Sequence, residues 1–455
     1  MLKRSVCSRE APLLPAILCF SIPLMLTGIL QLAYNTADSI IVGRYAGHAS
    51  LAAVGSTTSI IFLIITLFNG VSIGANYMAA RDFGAQDDKG LFRTVHCAAL
   101  LSVILGLLAC VCGLLLSTPL LRWADAPEDV LPLSVLYLRI YFLGVPALVV
   151  YNFGSALLRA VGDTFYPLLF MIVSGALNVA LNLLLVVVIP LDVAGVAIAT
   201  SVSQLLSAVL VTVRLCTFRG PCRLDLRKIR LYPDRTGQML RLGFSAGLQG
   251  VIFSAANVMI QSAVNSFGST IVAGNSAASN LEGFIYTGMN AFAQAAVTFT
   301  SQNVGARRYD NLDRVMRNCL LCVTVVGLFL GCGAYFGGEV LLHFYSTDEA
   351  VVAAGLSRMQ IICTAYFLCG IMDTLASCLR GRGYSVIPMI VSLVGSCLLR
   401  LVWIATIFRM FRSTGTLYIS YPISWALTAG VHLICLLVVR KKMNDQLKEE
   451  SRLAA

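Results

Sequence analysis

Charge is scarce in this chain. Aspartate, glutamate, lysine and arginine together make up 12% of its 455 residues, roughly half the ~25% usual in soluble proteins. With 58% hydrophobic residues and a mean hydropathy of +0.83, a soluble globular protein is excluded. The long apolar runs are continuous rather than alternating, which excludes a transmembrane β-barrel. Histidine is rare, and the four residues (His48, His96, His343, His432) form no cluster; His432 is either a proton relay or a packed imidazole. The fifteen cysteines show only the close pairs Cys110/Cys112 and Cys319/Cys322, without partner ligands elsewhere, so they read as small helix-packing residues. HExxH, GxSxG and paired-acid motifs are missing from the apolar segments, which argues against an intramembrane enzyme, and no cofactor is expected. The start, "MLKRSVCSREAPLLP", lacks a short apolar region ending in a small-residue cleavage site, so the first helix is expected to be retained.

What is present is a succession of apolar runs of twenty or more residues. In lipid these must be helices, which satisfy their own backbone groups. The fold class expected is therefore all-α, a polytopic membrane protein with 12 transmembrane helices in two pseudo-symmetric six-helix bundles. Breaks at charges, Gly/Pro clusters and polar turns give spans at 14–43, 51–80, 94–120, 132–157, 164–189, 193–216, 238–267, 270–303, 315–342, 355–379, 386–408 and 415–439. The corresponding domains are an N-terminal bundle, 1–216, a cytoplasmic basic linker, 217–237, a C-terminal bundle, 238–440, and a cytoplasmic tail, 441–455. With the N-terminus inside, 26 of the 33 basic residues fall on the cytoplasmic side, which sets both termini there. Arg44, Arg122, Arg139, Arg358, Arg409 and Arg412 fall outside, and Arg400 is left within a helix. This one-sided clustering assigns the net charge of +11 to topology and anionic lipid headgroups rather than to nucleic acid. The protein is expected in the cell membrane as a monomer.

The two halves match when shifted by 221 residues. "LLRAVGDTFYP" (157–167) faces "CLRGRGYSVIP" (378–388), Gly84–Ala85 faces Gly305–Ala306, and Gly47 faces Gly268. Six helices is an even number, so both repeats insert the same way, a plan of secondary transporters with a cavity between the halves.

Three acids lie inside predicted helices: Asp38, Glu282 and Asp373. Each costs several kcal/mol in hydrocarbon, so each either faces a water-filled path or is paired with a neighbour. Tyr34 and Asn35, four and three residues before Asp38, share its helical face and form an oxygen-rich site for a proton or Na⁺. Asn178 and Asn182 lie one turn apart on helix 5, as a second part of that site or as interhelical glue. In the second half, Asn257, Gln261 and Asn265 stripe helix 7, and Glu282, Tyr286, Met289 and Asn290 share helix 8. With Asp373, they suit small organic cations, which carboxylates and aromatic faces attract. Arg400 is the expected charge partner of Glu282 or Asp373.

The segments "YNTADSIIVGRYAG" followed by "LAAVG", "GVSIGANYMAARDFGAQD", "LLRAVGDTFYP", "MNAFAQAAVTFTSQNVGA" and "CLRGRGYSVIP" span nearly the whole chain. In kind and order they resemble the multidrug and toxic compound extrusion family. That resemblance implies export of cationic, often aromatic compounds driven by H⁺ or Na⁺ entry. It assigns ion coupling to Asp38 with Tyr34, Asn35 and Asn178, puts Asn182 where some members carry a second acid, and matches Asp373 to an acid of helix 10. The family's helix 7 glutamate has no counterpart between Gly243 and Gly268, and Glu282, one helix later, is the candidate to replace it. The alternatives are a flippase for a lipid-linked precursor, which should line its cavity with several cations, and an intramembrane enzyme.

Overall fold

The computed structural model describes residues 12–124 and 127–454. Lys3, Arg4 and Arg9, used above for topology, lie outside the described residues. Without water to satisfy N–H and C=O groups, the apolar runs close their hydrogen bonds within helices. They are α1 (Leu13–Ile41), α2 (Gly47–Gly84), α3 (Asp88–Trp123), α4 (Leu131–Ala160), α5 (Phe165–Asn182), α6 (Asp192–Cys216), α7 (Pro233–Asn265), α8 (Ser269–Gly305), α9 (Asp310–Phe336) and the short α10 (Gly338–His343). There follow α11 (Glu349–Ala365), α12 (Phe367–Gly381), α13 (Val386–Ser392), α14 (Leu399–Ala405), α15 (Ile407–Met410) and α16 (Thr414–Ala454). Wider π turns follow α1 (Val42–Ala46) and α5 (Leu183–Val188), and another (Leu393–Leu398) joins α13 to α14.

Among the described residues, ten helical segments are long and apolar enough to cross a membrane, and α11 with α12, bent by 42°, makes an eleventh. Helix α8 has 37 residues, but its polar string from Asn275 to Asn290 keeps it out of that apolar set. It completes twelve rods in a multi-pass membrane protein.

Several expected boundaries change. The expected helix 9 ends at Phe336 and not at 342, because Gly337 interrupts it. Helix 10 begins six residues earlier than expected, at Glu349, capped by the Asp348 carboxylate, which accepts from Ala350 N at 2.9 Å. The linker ends at 232, since α7 starts at Pro233, a residue suited to a first helical turn. It packs against the first unit. Phe218, Cys222 and Leu224 are buried in the core of the first unit, burial pushes the Cys222 thiol up to about 12, and Asp225 N donates to His96 Nε2 at 3.0 Å. The tail has no break from the last helix, which runs unbroken from Thr414 to Ala454.

The chain divides into two compact units. The first holds 18–247 and 305–307; the second holds 13–17, 248–304 and 308–455. The division therefore falls within α7, past the expected linker. In the first unit α4 is the hub, packing on α2, α3 and α6. There α2 and α7 touch backbone to backbone. A Cβ on Gly70 would lie 2.2 Å from Gly247 Cα, and one on Gly243 2.2 Å from Val71 O, so two small-residue stripes permit the approach. The N-terminal end of α7 is clamped by Arg235, whose Nη1 donates to Asp82 Oδ1 and Oδ2 at 3.0 and 2.8 Å, while Thr94 Oγ1 donates to Oδ2 at 2.6 Å. In the second unit α12 packs on α9 and α16, as does α11.

The 221-residue repeat extends to backbone conformation. Left-handed φ angles recur at Gly47 and Gly268 (81° and 94°), at Gln86 and Arg307 (55° and 53°), and at Gly162 and Gly383 (85° and 90°). Each pair differs by 221 positions, so corresponding turns reverse the chain in the same way.

Candidate functional site

In the first unit the site is built where α1 meets α5. Asn182 Nδ2 donates to Asp38 Oδ1 at 2.5 Å and to Asn178 Oδ1 at 3.3 Å. Asn178 and Asn182 are buried, and Asp38 is half-buried. The amide oxygen of Asn182 is buried with no hydrogen-bond partner. Three oxygen-bearing side chains thus converge, one carrying a charge when ionised and one keeping an unused carbonyl. Both helices pass into π turns immediately beyond the site, at Val42 and Leu183, a distortion that recurs at functional positions.

Tyr34 takes a different place from the one expected. Its ring covers Gly175, where a Cβ would lie 1.8 Å from Tyr34 Cε2, and its hydroxyl donates to Ile172 O at 3.5 Å. It positions α1 on α5 and does not bond the carboxylate. Asn35 is exposed and outside the cluster. A residue missed from the sequence is Tyr137 of α4, buried and close enough to interact electrostatically with Asp38.

In the second unit the central feature is an ion pair. Arg358 Nε donates to Glu282 Oε1 at 2.8 Å and Nη2 to Oε2 at 2.7 Å, with both residues 5% exposed. Arg358 Nη1 donates to Asn275 Oδ1 at 2.6 Å, Asn275 Nδ2 to Gln261 Oε1 at 3.1 Å, and Gln261 Nε2 to Asn265 Oδ1 at 2.9 Å. The polar stripe of α7 thus ends on a buried carboxylate. Asn257 is exposed and not part of it.

This corrects two expectations. Arg358, expected near the outer end of the helix 355–379, lies deeper: the Asp348 cap starts α11 six residues early and carries the guanidinium nine residues along it. That cap, Asp348 followed by an apolar run, was the signal that could have placed it. Arg400 is not the partner of Glu282 or Asp373. Its Nε donates to Ser424 Oγ at 2.8 Å and its guanidinium lies 4.2 Å from the Tyr421 ring centre and 5.5 Å from that of Trp425. Among the described residues no carboxylate pairs with Arg400, whose Nη2 is buried without a partner.

Asp373, half-buried on α12, faces the hydroxyl of Tyr286 and the charge of Arg380. Tyr286 OH in turn accepts from Asn290 Nδ2 at 3.3 Å, and Arg380 Nη2 donates to Gln249 Oε1 at 2.6 Å. Met289 is 1% exposed, its sulfur wedged against Gly327 and Gly370, so it is core and not the wall of a cavity. His432 is buried, with Nε2 bonded to Ser392 Oγ at 3.1 Å.

The MatE family model matches residues 23–184 and again 246–406. The chain is 25% identical over 381 residues to the probable multidrug resistance protein YoeA of Bacillus subtilis, covering 82% of each chain. It is 25% identical over 400 residues to an FAD transporter of Shewanella oneidensis, covering 86% of this chain and 87% of the relative. A crystal structure of MATE in complex with MaL6 superposes with a TM-score of 0.90 at 22% identity, covering 98% of this chain and 100% of that one, a likeness of fold. Each matched segment takes in the first five helices of one repeat, and this chain belongs to the MatE family of membrane transporters, and is no enzyme.

Proposed function

We propose that the protein is a secondary antiporter that exports amphipathic organic compounds in exchange for H⁺ or Na⁺ entering at Asp38. The observation that carries this reading is the 2.5 Å hydrogen bond from Asn182 Nδ2 to Asp38 Oδ1, in a pair of helices that hold no other charged side chain. An ionised Asp38 accepts from the amide nitrogen. A protonated Asp38 is a donor and is better met by the Asn182 oxygen, which is buried and unpartnered. Loading a proton therefore exchanges the bonds between α1 and α5, a local change with two discrete arrangements. Na⁺ fits the same donors: the Asp38 carboxylate with the carbonyl oxygens of Asn178 and Asn182 would hold it, hard oxygen ligands suiting a hard cation. A difference of about 1–3 kcal/mol between states suffices to couple ion and cargo.

The relatives' names speak of multidrug resistance and of FAD, so kinship supports an organic cargo. The expected preference for cations relied on Glu282 and Asp373 with nearby aromatic side chains, and the Glu282 carboxylate is occupied by Arg358. Asp373 with Tyr286 and Asn290 is the carboxylate left for a cationic group. We place the protein in the cell membrane as a monomer, both termini cytoplasmic, in keeping with the one-sided basic clusters.

The test is dye efflux from proteoliposomes with a pH gradient and a Na⁺ gradient imposed separately. Wild type is expected to export under one of them and Asp38→Asn under neither, while remaining folded and inserted. Unchanged export by Asp38→Asn would remove Asp38 from coupling.

A further inference from the structure

We propose that the C-terminal unit holds an oxyanion site at Arg400, which takes the carboxylate or phosphate of an aromatic organic compound. Calling that compound cargo rests on the antiport reading above; the binding site itself does not.

The argument starts from charge. Among the described residues, Glu282 and Asp373 are the carboxylates in the middle of this unit's membrane-spanning helices, and neither bonds Arg400: Glu282 is forked by Arg358, and Asp373 lies beside Tyr286 and Arg380. Arg400 is left over at 3% exposure. Its single side-chain acceptor is the Ser424 hydroxyl, and its Nη2 is buried without any partner. A guanidinium carries five N–H donors in a planar fork that matches carboxylate and phosphate oxygens, and one hydroxyl leaves most of them unused. A buried charge without its counter-charge is among the costliest features a core can hold.

The rings around it suit a flat apolar body. Tyr421 lies 4.2 Å from the guanidinium, Trp425 5.5 Å, and Tyr366 meets Trp425 edge-on at 5.1 Å. Arg400 is ten residues before Met410, where its membrane span ends, and Trp425 eleven after Thr414, where the next begins, so both sit roughly 15 Å from the turn that joins the two spans. Arg358 shares the Tyr421 ring at 5.5 Å. It fixes that ring while its own charge is spent on Glu282. The alternative role for Arg400 is structural, a cation held only by π faces. That role makes no distinction between anionic and cationic ligands.

The experiment uses the full chain in neutral phosphatidylcholine nanodiscs and two dyes on one xanthene scaffold: fluorescein, ionised at its carboxylate, and rhodamine 123, a cation. Anisotropy titration is expected to show fluorescein bound by wild type, bound at least tenfold more weakly by Arg400→Gln, and partly restored by Arg400→Lys, with rhodamine 123 changed less than twofold. Equal weakening of both dyes would reduce Arg400 to a structural residue, and unchanged fluorescein affinity would remove it from the site. If Arg400→Gln does not fold, wild type decides alone: tighter binding of rhodamine 123 than of fluorescein overturns the proposal. Replacing the lipid by phosphatidylglycerol separates the sources of the anion, since a tenfold loss of fluorescein binding there would assign the site to lipid headgroups instead of cargo. Fluorescein that binds but is moved by no ion gradient sinks the antiport reading and leaves the site; rhodamine 123 moved while fluorescein neither binds nor moves does the reverse.

Discussion

Arg358 of α11 grips both carboxylate oxygens of Glu282 of α8, at 2.8 and 2.7 Å, with its third nitrogen on Asn275. Removing one charge strands the other. Glu282→Gln is expected to destabilise the protein by about 3–5 kcal/mol, as for other broken buried pairs. Glu282→Gln combined with Arg358→Met should recover most of that loss. Thermal unfolding in detergent measures both; a single variant as stable as wild type would mean that the pair is open to water.

Asn182 holds the ionised form of Asp38 by one charge-assisted hydrogen bond. Asn182→Leu removes that bond and the unpartnered carbonyl together. A bond of this kind contributes about 1.5–3 kcal/mol, so the driving-ion concentration for half-maximal export is expected to shift tenfold or more. An unshifted midpoint in the vesicle assay would separate Asn182 from coupling.

Gly243 and Gly237 lie on the same helix and make opposite demands. A Cβ on Gly243 meets Val71 O at 2.2 Å, whereas one on Gly237 meets nothing within 4 Å. Gly243→Ala should cost about 1–3 kcal/mol through forced separation of α2 and α7, and Gly237→Ala should be neutral or gain up to about 1 kcal/mol. Comparing the two melting midpoints checks the helix crossing without any assay of transport.

His343, at the end of α10 and outside the membrane-spanning helices, is raised above its ordinary 6.5 by its bond to Glu339 O and by Glu349. Because the folded value lies above the unfolded one, the contribution of its protonated form is complete below pH 6.5 and fades as pH rises through the folded value. Histidine NMR should give a midpoint above 6.5, and Glu349→Gln should lower it. A midpoint at or below 6.5 in the wild type would show the contact to be absent.

The twelve helices were legible because hydrocarbon leaves an apolar run no other backbone state, and the repeat because turns are local. Gly47/Gly268 and Gly162/Gly383, matched as letters, share left-handed φ angles. Even Gln86 and Arg307, which share no chemistry, do so. Within the first unit, Asp38, Asn178 and Asn182 could be grouped in advance because intramembrane polar residues are few enough that those present tend to meet.

The identity of the charge partners was a different matter. Arg400 was assigned to Glu282 or Asp373, and Glu282 is held by Arg358, which an α11 starting at its Asp348 cap carries nine residues into the helix. Met289, assigned to a cavity wall, fills the notch between Gly327 and Gly370. Helix existence, membrane residence and the 221-residue repeat follow from the chain alone, because each depends on solvent or on neighbours in sequence. Which guanidinium neutralises which carboxylate, and which is left over, follows from helices brought side by side, because a fork of 2.8 Å bonds is decided by rotation and depth of two rods that the one-dimensional order does not encode.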